Sequence, residues 1–129
     1  MVLDSSALVA LLFDEPEAET FRREVEDDPT RLVSAATLLE AALIVEGRKG
    51  EAAGHQLDLL LHKADVIVTP VDAEQIGEAR RAYRRFGRGR HEAALTYGDT
   101  FAYALARITG EPLLFKTGRF AKTDIRRVV

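Results

Sequence analysis

Asp4, Glu40 and Asp99 are the carboxylates whose surroundings in this chain invite chemistry. Asp4 follows Met1-Val2-Leu3 and precedes Ser5-Ser6-Ala7-Leu8, so an apolar run ends in an acid as a helical pattern begins. At a strand end an acid can ligate a metal, serve as a nucleophile, or cap the next helix. Glu40 lies inside Ala35-Ala36-Thr37-Leu38-Leu39-Glu40-Ala41-Ala42-Leu43-Ile44-Val45. That stretch is apolar nearly all round and predicts a largely buried helix, where a lone glutamate needs a partner or a cation unless it faces one solvated strip beside Thr37. Asp99, in Tyr97-Gly98-Asp99-Thr100-Phe101, opens another mostly apolar helix and can also be a simple N-cap. Asp124, in Thr123-Asp124-Ile125, fits a turn or cap better than a ligand.

If the three acids converge, their mutual repulsion leaves some protonated at neutral pH unless a cation sits among them. Hard oxygen donors without cysteine or clustered histidine select Mg²⁺ or Mn²⁺. Such a site can align water against a phosphodiester and stabilise the charge that develops on its oxygens, the chemistry of a metal-dependent nuclease. Other chemistries fit less well. His55 and His62 share a helix face but stand about 10.5 Å apart along its axis, too far for one metal, and His91 does not complete a set. Ser5 and Ser6 have no His–Asp relay. Gly87-Arg88-Gly89-Arg90 reads as a loop, not as a phosphate-binding motif.

The elements that must position these acids alternate along the chain. Strands are expected at Val2-Leu3, Arg31-Leu32-Val33, Val66-Ile67-Val68 and Pro112-Leu113-Leu114-Phe115, with Ile125 to Val129 as a candidate fifth. Helices are expected from Ser5 to Phe13, then from Asp14-Glu15-Pro16, with Pro16 in the first turn, to Asp27-Asp28-Pro29. Ser34 caps a third helix from Ala35 to about Glu46, stopped at Gly47, and Glu51 to Lys63 forms a fourth with Leu57, Leu60 and Leu61 on one face. Asp72 caps a fifth through Ile76, Ala79 and Tyr83; a short segment surrounds Ala93, Ala94 and Leu95; and Asp99 opens a last helix to Ile108, ended by Gly110. The pattern predicts an α/β fold in which residues 1–129 form a single domain. Its architecture is a three-layer α/β/α sandwich around a central, mainly parallel sheet of four to five strands. Ligands in such folds sit at the carboxyl ends of strands, where Asp4 falls.

An apolar content of 47% and a charged content of 30% are those of an ordinary globular chain. With no cysteine there is no disulfide framework or thiolate metal site, and no apolar stretch approaches the roughly 20 residues that span a bilayer. A cytoplasmic location with no membrane partner is the expectation. The charge is unevenly spread: residues 1–65 hold 14 acidic and 6 basic side chains, residues 66–129 hold 7 and 12. Six arginines fall between Arg80 and Arg90, available to an RNA backbone or an acidic partner segment, or forming a solvated helix face.

Taken in order and at their spacing, Val2-Leu3-Asp4-Ser5-Ser6-Ala7-Leu8, Leu39-Glu40-Ala41, Tyr97-Gly98-Asp99, and Leu113-Leu114-Phe115-Lys116 with Phe120 and Thr123-Asp124-Ile125 resemble the PIN-domain ribonucleases. More narrowly, they resemble the VapC toxins of bacterial type II (VapBC) toxin–antitoxin pairs, over essentially the whole chain. The resemblance implies a Mg²⁺- or Mn²⁺-dependent endoribonuclease that cleaves structured cellular RNA, such as tRNA or rRNA. It also implies a VapB-like antitoxin occupying the active-site groove, and a homodimer. By motif, Asp4 and Asp99 would be the principal metal ligands and Glu40 the third catalytic acid and ligand. Ser6 would order the site beside Asp4, and hydrolysis would leave a 3′-hydroxyl and a 5′-phosphate. Thr100 stands where a cysteine is frequent, a swap between small side chains.

One departure bears on activity. In Lys116-Thr117-Gly118-Arg119-Phe120, Arg119 stands where a fourth acid is common in the family, and it either neutralises the acidic pocket or touches an RNA phosphate. The alternative function is therefore a catalytically weakened PIN-domain protein that binds RNA or antitoxin without efficient turnover. A phosphoaspartyl phosphatase would want a second aspartate two residues after the first, and that residue is Ser6.

Overall fold

Val2 and Leu3 are buried on both sides and form strand β1 (Val2–Leu3) in the interior of the sheet. A strand covered on both faces must be apolar at successive positions, which is why it reads as a run and not as an alternation. The computed structural model describes residues 1–116 and 118–129; Thr117, within the last motif, lies outside the described residues. Strand β2 (Leu32–Ser34) pairs parallel to β1 through Val2↔Leu32, and β4 (Leu113–Leu114) lies on its other side through Val2↔Leu113 and Leu3↔Leu114. Strand β3 (Ile67–Thr69) adds beyond β2, giving the order β3-β2-β1-β4 with every pair parallel.

That order reverses direction once. The chain steps outward from β1 to β2 and β3, then returns to the opposite side of β1 for β4. The reversal opens a crevice beyond the carboxyl ends of β1 and β4. Asp4 follows β1 and Lys116 lies two residues after β4, so the topology delivers both to that crevice.

Successive residues of the short strands feed two different cores. Leu3 and Leu114 pack with Leu8 and Leu11 of α1 (Ser5–Leu12), Phe21 and Val25 of α2 (Ala18–Asp27), and Leu57 and Leu61 of α4 (Glu51–Lys63). Val2 and Leu113 pack with Ala82 and Phe86 of α5 (Ala73–Phe86), Tyr103 and Leu105 of α6 (Tyr97–Thr109), and Phe120 of α7 (Gly118–Ala121). Each fully buried leucine or phenylalanine contributes about 1.5–3 kcal/mol, so both faces of the sheet are held by apolar burial. The three-layer expectation holds, with four strands among the described residues.

Several local expectations change. Pro16 precedes its helix: Asp14 takes a φ of 52°, Glu15 donates its backbone N–H to Ala10, and the chain turns before α2 begins at Ala18. Helix α3 (Ala35–Lys49) runs through Gly47 and ends at Gly50, whose φ of 79° suits a residue without a side chain. Ser34 occupies the N-cap position, but its buried hydroxyl makes no capping bond. No helix forms around Ala93 to Leu95, because Ala94 has a φ of 53° and Leu95 bridges back to Gly87. Ile125 to Val129 adds only an isolated bridge, Leu113↔Arg127, on the free edge of β4. Among the described residues, no helix is long and apolar enough to cross a membrane.

Candidate active site

Asp4 is 1% exposed, and its two carboxylate oxygens have different surroundings. Oδ2 accepts hydrogen bonds from the Ser6 backbone N–H at 3.0 Å and the Ser6 hydroxyl at 2.6 Å, so the acid does cap α1. The same hydroxyl oxygen accepts from the Lys116 backbone N–H at 2.9 Å, tying the end of β1 to the segment after β4. Oδ1 is buried and has no hydrogen-bond partner among the described residues. Burial pushes the Asp4 carboxyl up to about 6; the two Ser6 hydrogen bonds pull it back, and the charges of Asp99 and Glu40 push it further up. Capping therefore accounts for one oxygen and leaves the other unexplained.

Glu40 reaches the same region from α3, though not for the reason its sequence context suggests. The helix is buried only along Thr37, Ala41 and Val45, while Leu39 and Leu43 are 59% and 66% exposed. Glu40 is half-buried, so full desolvation is not what defines its role. Its Oε1 accepts from the Ser5 hydroxyl at 2.7 Å. Its Oε2 lies against Gly98, where an added Cβ would fall only 1.9 Å away. Glu40 thus bridges the starts of α1 and α6, and glycine is the residue that admits it.

Asp99 is not the N-cap of α6. Thr96 is, and Asp99 closes a capping box three residues on: its Oδ2 accepts from the Thr96 N–H at 2.9 Å, while its own N–H donates to Thr96 Oγ1 at 3.3 Å. This fixes a carboxylate that is 4% exposed. Arg119 then engages both of its oxygens, Nε to Oδ2 at 2.7 Å and Nη2 to Oδ1 at 3.2 Å. The hydrogen bond to Asp99 holds the Arg119 guanidinium above its ordinary range despite partial burial, and the negative charges of Asp99, Asp4 and Glu40 add to this. One cation thus feels all three acids.

Beside Glu40 lies a cavity of about 330 Å³ lined by Ser5, Ser6, Glu15, Glu40, Arg48, Lys116 and Arg119 among others. Lys116 Nζ pairs with Glu15 at 3.3 Å and Glu17 at 3.4 Å across its rim. Arg48 and Lys116 were not singled out for chemistry in the sequence; only the approach of α3 to the end of β4 gives them a common wall. The arginines of α5 do not line this cavity: Arg81 pairs with Glu78, and Arg85 with Asp124.

Asp124 has a structural position. Burial pushes its carboxyl up, but the Tyr103 hydrogen bond and the charges of Arg85 and Arg107 outweigh this and hold it below the ordinary carboxylate range. His55 and His62 are exposed, and His91 uses Nδ1 to accept from the Ala93 N–H while its ring meets Phe86 edge to face.

Among the described residues, no three acids or histidines are close enough together to hold a metal ion as they stand. Glu40 is turned to Ser5 and Gly98, and Asp99 is engaged by Arg119. The donor chemistry nevertheless fits a hard divalent cation. Carboxylate oxygens dominate, and the buried, unpartnered Oδ1 of Asp4 lacks the countercharge that its ionised form requires.

Comparison with known proteins shows the family. The PIN domain family model matches residues 1–126. A Ribonuclease VapC of Mycolicibacterium smegmatis is 55% identical over 128 residues, covering 99% of each chain. Ribonuclease VapC30 of Mycobacterium tuberculosis is 56% identical, covering 99% of this chain and 98% of its own. Among solved structures, VapC20 of Mycobacterium tuberculosis, described as a toxin that cleaves the sarcin–ricin loop, superposes with a TM-score of 0.78 at 20% identity, covering 96% and 95% of the two chains. A toxin–antitoxin complex from Klebsiella pneumoniae gives a TM-score of 0.68 at 14% identity over 95% of this chain and 92% of its own, and these two likenesses bear on the fold. With a parallel sheet, a strand-end acid and full-length relatives in agreement, the chain belongs to the PIN-domain family, as one of its VapC ribonuclease toxins.

Proposed function

We propose that residues 1–129 form a single PIN-like domain that acts as a Mg²⁺- or Mn²⁺-dependent endoribonuclease on structured cellular RNA, tRNA or rRNA. Asp4 and Asp99 are the principal metal ligands and Glu40 the third catalytic acid. The observation that carries this reading is the Asp4 carboxylate, buried at the topological switch with one oxygen unpartnered among the described residues. When bound, a divalent cation there supplies Lewis acidity toward water and the phosphoryl oxygens. The chain's own residues do the rest. Ser6 fixes Asp4, Ser5 orients Glu40, and the Thr96 capping box fixes Asp99. Arg48 and Lys116 on the cavity wall attract and align the phosphate backbone. Hydrolysis leaves a 3′-hydroxyl and a 5′-phosphate.

The partner is a VapB-like antitoxin that occupies the same groove. This is supported by the VapC relatives and by the related fold found in a toxin–antitoxin complex. A homodimer is supported by the exposed apolar side chains Leu39, Leu43 and Tyr97, which stand close together beside a cavity of about 510 Å³ on the outer side of α3 and α6. One observation favours the second reading, a chain that holds RNA or antitoxin with little turnover: Arg119 already occupies Asp99. The test is cleavage of total cellular RNA with Mg²⁺ or Mn²⁺ by the purified chain and by Asp4→Asn and Asp99→Asn. Cleavage by the wild type alone supports the nuclease; equal cleavage by either variant removes the proposed ligands from it.

A further inference from the structure

We infer that Arg119 is a resident competitor for the metal position: it neutralises Asp99 in the metal-free enzyme and must release it before a divalent ion is bound. The inference rests on the metal-site reading above and goes beyond it by assigning the arginine a role in setting metal affinity.

The geometry is that of a counter-ion, not of a surface pair. Arg119 approaches edge-on and engages both oxygens of a carboxylate that is 4% exposed. A buried carboxylate without such a partner is strongly disfavoured in its ionised form. The negative charges of Asp4 and Glu40 also favour the guanidinium here, so its departure removes the positive charge that offsets Asp99 near two further acids. A divalent cation would meet the same need with twice the charge. Both cannot use the Asp99 oxygens in the same way, and binding of one opposes binding of the other.

The arginine is also built to leave. Its backbone is fixed by Phe120, which is fully buried and packs against Phe115 with ring centroids 5.2 Å apart. Its side chain is 39% exposed and borders the cavity that Arg48 and Lys116 also line. The guanidinium can therefore swing from Asp99 into the cavity without disturbing α7, and the entropy of its long side chain favours release once a cation arrives. Lysine at this position would keep the charge but lose the two-pronged fit.

The experiment is Mn²⁺ titration by calorimetry at pH 8 with the full-length chain and its Arg119→Ala, Arg119→Lys and Asp99→Asn variants, together with melting of each in EDTA. Arg119→Ala is expected to bind Mn²⁺ at least about tenfold more tightly than wild type, or about 1.4 kcal/mol. It should also melt at a lower temperature in EDTA and show the larger upward shift on adding Mn²⁺. Arg119→Lys should fall between the two, and it carries the test if the alanine variant does not fold. Unchanged Mn²⁺ affinity in the folded Arg119 variants overturns the competitor role. Asp99→Asn separates the two ideas: loss of Mn²⁺ binding there with no change in the Arg119 variants defeats only the competitor. Undiminished binding in Asp99→Asn defeats the metal-site reading on which it rests.

Discussion

Glu40 and Gly98 are in direct contact: the Glu40 carboxylate occupies the space that a Cβ at position 98 would need. Two helices distant in sequence, α3 and α6, are thus brought together at one carboxylate, with Ser5 of α1 as its hydrogen-bond donor. Gly98 lies in the first turn of α6, and its lack of a side chain is what admits the Glu40 carboxylate.

Gly98→Ala should therefore separate stability from activity. The added methyl group displaces the end of a flexible glutamate, not the backbone, so the melting temperature should stay within a few degrees. RNA cleavage should fall about tenfold or more as Glu40 leaves its place. Circular dichroism melting and a cleavage assay on one preparation check both halves, and full activity would show that the position of Glu40 is not needed.

Asp4 gives a pH signature with a definite sign. Its carboxyl is pushed up to about 6 from an ordinary value of 3.8, so the folded chain holds a proton that the unfolded chain has released between those values. Its contribution is most favourable below pH 3.8 and is lost as pH rises through 6. Asp4→Asn, which can still cap α1, should stabilise the metal-free chain by about 2–3 kcal/mol at pH 8, with the gain shrinking toward zero near pH 4. Urea melts in EDTA at the two pH values measure this. A gain of equal size at both would mean that ionisation of Asp4 is not the source.

Asp124 should matter for stability alone. Replacing it with alanine leaves the buried Tyr103 hydroxyl without its acceptor, at about 1–3 kcal/mol, and frees Arg85 and Arg107. Because its carboxyl is held below the ordinary range, the contribution is present at neutral pH and lost as pH falls through that lowered value. Denaturant melts should show the loss while Mn²⁺ affinity by calorimetry is unchanged.

RNA contact should follow the cavity wall and not the arginine-rich helix. Arg48→Ala and Lys116→Ala should each weaken RNA binding and reduce the salt slope by about 0.7, as for one phosphate contact on a single strand. Arg84→Ala and Arg88→Ala, outside the cavity lining, should leave the slope unchanged. Filter binding from low to moderate salt distinguishes the two sets.

How far the sequence spoke differs from residue to residue. Asp4 was legible because an apolar run ending in an acid and two serines is a local signature, and the local partner Ser6 proved to hold it. For Glu40 the sequence argument fails: its apolar neighbours predict a buried helix, whereas Leu39 and Leu43 face outward. Asp99 reads as a cap in the sequence because Thr96, the true cap, directly follows the short helical segment expected around Ala93 to Leu95, which the positive φ of Ala94 prevents. Strand order, and with it the switch between β1 and β4, depends on pairing between segments more than a hundred residues apart, such as Leu3 and Leu114. The shared wall of Arg48 and Lys116 also needs packing between separate elements, and the choice that Arg119 makes between Asp99 and a phosphate depends on where α7 sits against α6.

The most direct test of the central claim is anomalous diffraction from crystals of the wild-type chain grown with Mn²⁺. The account predicts a Mn²⁺ peak bound to carboxylate oxygens of Asp4 and Asp99, with Arg119 turned away from Asp99, and no peak there in Asp4→Asn. A wild-type peak only at other acids, or no bound Mn²⁺ in crystals of a chain that cleaves RNA with Mn²⁺, would contradict it.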